Sequence, residues 1–420
     1  MKGCKRILFF LTSLVLLSCG CTSNQNPIFK EKVVIKFSNP ESSPEQLRIM
    51  KKICKAFMDE NLDIKIKMEF ATDRGKIMTG LVMGTGPDVF LWWAGINELY
   101  QKGLLCTLDE NIKKYNVDMK KYFSCLPDYY TFDGKLYAMP LQINTNCLFY
   151  NKDLFDKEKI AYPTDKWAWE DLYNAAIKFN KDTNGDGMRD QFGILSINTD
   201  IFIMQNGGNV IDYKKKQCTV NTPEVREALE FMFKLRKDGG PTAAERASFY
   251  QSDRTSIPFL SGKIAMEQCP SWVLSECKNI KKFKWDVAPM PVPPKRKSVH
   301  VFDEACLAIS KNTKNPEAAF RFISFYCGEK GMKIFAEGKN GIPANKVAAY
   351  GTFITPPPKG IKYFVDAAEK ATAPIWPKEL SNRKYYEPFD KYNSMIWLGE
   401  LTIDEAIKRT LKDTDALLKN

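Results

Sequence analysis

The sequence predicts an α/β fold: mostly parallel sheet with helices on both faces, in more than one domain. Two observations point there. The N-terminal third alternates short β-branched runs with stretches of helical apolar spacing. At 420 residues with 44% apolar composition, the chain exceeds one domain of about 150 residues and has enough apolar surface for a full core. No run reaches the ~18 continuous apolar residues of a spanning helix, which excludes a polytopic membrane protein.

The elements follow in order. Val33-Val34-Ile35-Lys36-Phe37 is a strand ending in the turn Ser38-Asn39-Pro40. From Pro44 to Met58, Leu47, Met50, Ile53, Ala56 and Phe57 recur at helical spacing. Ile64, Ile66 and Met68 alternate with lysines as a second strand, a helix runs on to about Met83, and Pro87 to Trp92 is a third strand. Sheets of this kind bind ligands beyond the carboxyl ends of their strands, which draws attention to Asn39 and to Trp92 and Trp93. Further on, Trp169–Asn180, Glu224–Lys237 and Pro316–Phe335 are expected as helices, and Gly208–Val220 as a hairpin with a solvated basic tip at Tyr213–Lys216. Proline-rich loops fall at 289–294 and 356–358, and no solenoid-period repeat is present.

The first residues speak to compartment. Met1 to Arg6 carries positive charge, Ile7 to Leu17 is mostly apolar, and small residues follow, the layout of an export signal. Leu16-Leu17-Ser18-Cys19 resembles a bacterial lipobox, with Cys21 as the alternative lipidation site. Residues 1–18 are therefore expected as signal peptide and 19–30 as a polar tether, placing the chain on the extracytoplasmic face of a bacterial membrane. Without the leader's Lys2, Lys5 and Arg6, the formal charge falls from +12 to +9, too diffuse for a nucleic-acid groove. Of the 12 cysteines, ten remain beyond Cys4 and Cys19, with no C-x-x-C pair among them, and there is one histidine, His300. Zinc is not expected, and most thiols are expected as small buried apolar groups.

Several short motifs then accumulate. Gly84-Thr85-Gly86-Pro87-Asp88-Val89-Phe90 enters a strand; Asp133-Gly134-Lys135-Leu136-Tyr137-Ala138-Met139-Pro140 precedes Leu148-Phe149-Tyr150-Asn151-Lys152-Asp153-Leu154-Phe155. After these come Trp169-Glu170-Asp171-Leu172, then Phe259-Leu260-Ser261-Gly262-Lys263-Ile264-Ala265-Met266 with Trp272, then Leu307 to Lys311 with Asn315 to Ile323, and finally Gly341-Ile342-Pro343-Ala344. In this order, behind a lipoprotein leader, the set resembles the extracellular solute-binding proteins of ABC sugar importers, of the maltose-binding type. The resemblance implies a periplasmic-binding-protein type II-like fold, two doubly wound α/β lobes joined by a multi-crossover hinge. By the same analogy one lobe is residues 31–142 with 301–342, and the other 143–300 with 343–420. It further implies a monomer that hands a carbohydrate to permease subunits, with no catalytic residues and no cofactor needed for function.

A sugar offers hydroxyls around an apolar C–H face, so its site wants aromatic rings together with amides and carboxylates. The candidates at the expected loops are Asn39, Trp92, Trp93, Gln142, Asn144, Gln205, Gln268, Trp272, Asp303, Glu304 and Trp376, with Asn146, Asn206, Tyr385, Tyr386 and Trp397 behind them. Trp169 and Trp285 are assigned to packing. A separate motif, Asp182-Thr183-Asn184-Gly185-Asp186-Gly187-Met188-Arg189-Asp190, has the first part of an EF-hand loop. Asp182, Asn184, Asp186 and Asp190 supply side-chain oxygens and Met188 a carbonyl, but position twelve is Gly193. A structural calcium ion is expected here, the alternative being a metal-free Asx-rich turn. For an enzyme the sequence offers little: no G-x-S-x-G, no H-E-x-x-H and no Walker loop.

Overall fold

The computed structural model describes residues 31–40, 43–70, 73–195, 198–242, 245–246, 258–293, 299–375, 377–378 and 383–419. The leader and the lipidation candidates Cys19 and Cys21 lie outside the described residues, as does Trp376.

Strand β1 (Val33–Asn39) buries Ile35 and Phe37 while Lys36 faces out, and β2 (Ile64–Phe70) buries Ile64 and Ile66 between exposed lysines. The two pair in parallel, Val33 against Ile64 through Asn39 against Phe70. The helix between them, Pro44–Glu60, is capped by Ser43, whose hydroxyl accepts from Gln46 N at 3.3 Å, and it buries Ile49, Met50, Ile53, Cys54 and Phe57 along one face. A second helix, Arg74–Val82, leads into β3 (Val89–Trp93). The glycines of that turn have a steric reason: Gly86 N donates to Gly80 O at 2.8 Å, and a Cβ on Gly86 would stand 2.8 Å from the Gly80 carbonyl carbon.

After a small hairpin of β4 (Thr131–Phe132) and β5 (Lys135–Leu136), strand β6 (Ala138–Asn144) returns to the first sheet, and β7 (Asn146–Asn151) starts a second one. The following strands are β8 (Phe192–Ile194), the expected hairpin β9 (Ile211–Asp212) with β10 (Gln217–Cys218), then β11 (Ile264–Pro270) and β12 (Trp285–Ala288). The long β13 (Val301–Ile309) crosses back, followed by β14 (Ile342–Pro343) and β15 (Ala373–Pro374). The first sheet runs β14-β6-β13-β3-β1-β2, with β15 joined to β13; the second runs β12-β7-β11-β8. The chain thus passes from one sheet to the other at Thr145 and back at Val301.

Two main cores form, and the larger, beneath the first sheet, also takes in Cys147, Phe149, Cys269 and Val287 of the second. Phe37, Phe57, Phe322 and Tyr326 pack edge to face beneath the first. Under the second, Trp169 stacks on Phe231 at 4.6 Å, and the helices Trp169–Phe179 and Pro223–Gly239 pack together. Trp285 lies flat on Phe149 at 5.6 Å, so both tryptophans assigned to packing are packing residues. Residues from Ala344 to Ala371 join the first core, whereas Tyr386, Phe389 and Ile407 join the second.

The single helix expected over Pro316–Phe335 is two, Pro316–Cys327 and Glu329–Glu337. The break is Gly328, which leaves helical geometry at ψ 178°, and a Cβ there would lie 2.6 Å from Ser324 O. All nine described cysteines are free thiols and seven are buried, in line with their expected role as small core groups. Among the described residues no helix is long and apolar enough to cross a membrane.

Candidate functional site

The first sheet brings three strand ends to one place. β13 is antiparallel to both β3 and β6, so its start lies beside their carboxyl ends. Ala305 faces Trp93 on one side and Gln142 on the other, and Asp303 faces Asn144. Above these ends opens a cavity of about 330 Å³, lined by Trp93, Gln142, Asn144, Asp303, Glu304 and, from the second sheet, Trp272. Trp272 follows β11 and is 42% exposed, its ring at the cavity wall.

The floor is hydrogen-bonded across the two sheets. Ser271 Oγ donates to Asn144 Oδ1 at 2.8 Å, and Asn144 Nδ2 donates to Asp303 Oδ1 at 2.7 Å. Ser271 N also donates to Thr145 O at 3.0 Å, fixing the turn that carries Trp272 to the first crossover. Glu304 Oε1 accepts from Gly95 N at 2.8 Å and its Oε2 accepts from the Tyr130 hydroxyl. That clamp holds the corner after β3, where Ala94 and Gly95 both have positive φ, 61° and 79°. Burial pushes the Glu304 carboxyl up to about 7 against the opposing pull of Tyr130 and Gly95 N, and pushes Asp303 up to about 6 against the Asn144 amide. Asp303 keeps an edge to solvent, whereas Glu304 is buried.

The paired tryptophans part company. Successive strand residues face opposite ways: Trp92 points into the core, 4% exposed with its Nε1 donating to Gly95 O at 3.0 Å, and Trp93 faces the cavity. The Arg74 guanidinium lies over both rings, 4.2 Å from Trp92 and 5.0 Å from Trp93, and holds them by cation–π attraction.

Of the remaining candidates, Asn39 is buried at the wall of a small pocket that adjoins this cavity, Gln142 and Ala305 lining both. Gln268 is tied inside the second sheet, its Oε1 accepting from Asn198 N at 2.8 Å and its Nε2 reaching Asn146 at 3.4 Å. Gln205 donates to Pro291 O at 2.8 Å and lines a separate 410 Å³ cavity with Asn146 and His300. Neither glutamine reaches the floor described above. Asn206 is buried against Glu224 O, Tyr386 is buried in the second core, and Trp397 stacks on Phe233. Around Trp376, the neighbours Pro374, Pro377 and Lys378 line a larger cavity of about 870 Å³ that also touches Tyr129, Phe302 and Met204. Sequence reasoning missed Gln46, Arg74, Tyr130, Ser271 and Asn340, none of which sits in a motif.

The calcium expectation finds no support. Among the described residues no group of three or more His, Cys, Asp or Glu side chains is arranged to hold a metal ion. Asp182 instead accepts from the backbone N of Asn184, Gly185 and Gly187 at 3.2, 2.7 and 2.8 Å, and Asp190 turns to Thr183 N and Oγ1, both at 2.8 Å. Position twelve has no room for a carboxylate: a Cβ on Gly193 would stand 2.0 Å from Ala176 O. This donor set does not fit a complete calcium loop; the geometry is an Asx-rich turn closed by its own amides.

Residues 52–362 match the family described as bacterial extracellular solute-binding protein. The chain belongs to that family. Among curated relatives, the maltodextrin-binding protein MdxE of Bacillus subtilis is 27% identical over 344 residues, covering 78% of each chain. The multiple sugar-binding protein of Streptococcus mutans is 24% identical over 361 residues, covering 79% of this chain and 81% of that one. Among solved structures, an ABC substrate-binding protein from Listeria monocytogenes in complex with cycloalternan superposes with a TM-score of 0.79 at 24% identity, covering 93% of this chain and all 100% of the other. The fold is accordingly the type II periplasmic-binding-protein fold, two α/β lobes, as the sequence predicts.

Proposed function

We propose that this solute-binding protein captures a mono- or oligosaccharide outside the cytoplasm and delivers it to the permease of an ABC importer, leaving the sugar's bonds intact. The observation that carries the reading is the cavity between the sheets, walled by Trp93 and Trp272 and floored by Gln142, Asn144 and Asp303. Flat rings suit the C–H faces of pyranoses, and amides beside carboxylates suit paired hydroxyls. Relatives named for maltodextrin and multiple sugars, and a structural neighbour holding cycloalternan, support the same class.

The lobes proposed are residues 31–142 with 301–342 and residues 143–300 with 343–420, corrected at Ala344–Ala371, whose apolar side chains join the first core; they swing together about the crossovers as ligand fills the space between them. Glycoside cleavage is the less favoured chemistry, since it needs two carboxylates flanking one bond. Glu304 has both oxygens engaged by Gly95 and Tyr130, and Asp303 is its immediate neighbour. We further assign the chain a monomeric state and a lipid anchor at Cys19, or alternatively at Cys21, on the extracytoplasmic face of the membrane.

A thermal-shift screen over mono- and oligosaccharides tests the binding. At a ligand concentration of about 100 times Kd, roughly 2.7 kcal/mol of added stability is expected, and Trp272→Ala should abolish the shift. A screen in which no saccharide raises the melting temperature contradicts the assignment. The anchor is tested separately: Cys19→Ala with Cys21→Ala should move the protein from the membrane pellet to the soluble fraction, and persistence in the pellet would refute it.

A further inference from the structure

A small pocket adjoins the cavity floor, and Gln46, Gln142 and Ala305 line both. Its volume is about 20 Å³, enough for one oxygen-sized group and no sugar ring. Apolar side chains, Ile49, Met50, Leu91 and Phe335, form most of its wall. Three polar atoms on that wall are buried without a hydrogen-bond partner among the described residues: Gln46 Oε1, Asn340 Oδ1 and Asn340 Nδ2. Asn340 is 1% exposed. An amide buried with both ends unmet is costly to the folded chain, so the site calls for an oxygen-bearing group, a water or part of a ligand.

The unmet atoms are two acceptors and one donor, around space for a single heavy atom. A hydroxyl accepts from Asn340 Nδ2 and donates to one of the two oxygens, meeting both kinds, where a water would meet all three; an ammonium only donates, a carboxylate only accepts and is larger, and a methyl leaves all three unmet. The apolar wall suits a methylene leading in from the cavity. We propose that this pocket is a specificity subsite for a primary alcohol arm, the –CH₂OH of a hexose unit, read by Asn340 and Gln46. The proposal rests on the carbohydrate reading above and deepens it. Ligands with the hydroxymethyl intact are accepted, and their 6-deoxy and uronate counterparts are discriminated against.

The test is calorimetric titration of the wild-type protein and of Asn340→Leu with three matched sets: D-glucose, 6-deoxy-D-glucose and D-glucuronate; D-galactose, D-fucose and D-galacturonate; D-mannose, D-rhamnose and D-mannuronate. Thermal unfolding of both proteins is followed in parallel. For the wild type, at least one hexose binds, its 6-deoxy partner binds about five- to tenfold more weakly, and its uronate gives no detectable heat. Asn340→Leu unfolds at the same or a higher temperature and no longer separates hexose from 6-deoxy sugar. Asn340→Ala serves if leucine does not fit. Equal affinity of the wild type for a hexose and its 6-deoxy partner overturns the subsite while leaving carbohydrate binding intact, as does a variant that loses thermal stability yet keeps the discrimination; the pocket then holds only water. Failure of every hexose to bind overturns the subsite; the carbohydrate reading falls only if no mono- or oligosaccharide in the thermal-shift screen binds either.

Discussion

Glu304 is a buried acid whose two oxygens are spoken for by uncharged donors, and that makes it a pH-dependent liability as well as a clamp. Its carboxyl sits at about 7 in the fold against an ordinary 4.5, so between those values the folded chain binds more protons than the unfolded one. Stability therefore falls as pH rises from about 4.5 to 7, by on the order of 3 kcal/mol from this group. Asp303, raised from 3.8 to about 6, adds a decline in the same direction at lower pH. Glu304→Gln can still accept from Gly95 N and meet the Tyr130 oxygen, so it should flatten the upper part of the decline. Urea denaturation at pH 5 and pH 7.5 measures this: the wild-type midpoint drops more than the variant's, and parallel drops would show that Glu304 does not titrate as described. At this scale the sequence was informative where residue type alone carried the signal. Trp93, Trp272, Gln142, Asn144 and Asp303 were legible because rings and amides near strand ends are few. Trp92 was not separable from Trp93 until the strand's facing was known, and Gln46 and Asn340 gave no local sign, since their meaning arises from lining one pocket from distant parts of the chain.

Elements whose periodicity is local were the most legible. β1, the helix Pro44–Glu60 and β2 follow directly from apolar spacing of two and of 3.6, and the hairpin at Ile211–Cys218 from its polar tip. The break at Gly328 was hidden because the apolar stripe continues on both sides of it. The calcium loop misled for a related reason: its residue pattern is shared by a metal site and by an Asx-rich turn, and the deciding feature, Gly193 pressed against Ala176, is tertiary. The motif Gly341-Ile342-Pro343-Ala344, which the family resemblance sets at a third crossover, shows the opposite case, a short motif whose need is structural. Gly341 has φ +140°, and a Cβ there would stand 2.7 Å from Asn144 Oδ1 and 3.0 Å from Gln142 Oε1. Gly341→Ala should cost about 1–3 kcal/mol of stability from backbone strain and displace both floor amides. Chemical denaturation together with sugar titration checks it; unchanged stability and affinity would mean the crossover tolerates a side chain.

As a whole molecule the chain is two sheets exchanging strands at Thr145 and Val301, with the candidate site where the exchange occurs. The fold class was legible because the alternation of strands and helices and the ordered motifs agree. The cavity was not, because its walls come from β3, β6, β13 and the turn after β11, which only the folded arrangement unites. The same arrangement explains why a ring as exposed as Trp272 is tolerated: it faces the space that ligand would fill. The account's central claim is reversible capture of a carbohydrate at this place. The most direct measurement is a calorimetric titration of the wild-type protein with the saccharide that raises its melting temperature most, followed by chromatography of the recovered sugar. The account predicts saturable heat with one site per chain and full recovery of the sugar unaltered; the absence of saturable heat, or the appearance of cleavage products, would contradict it.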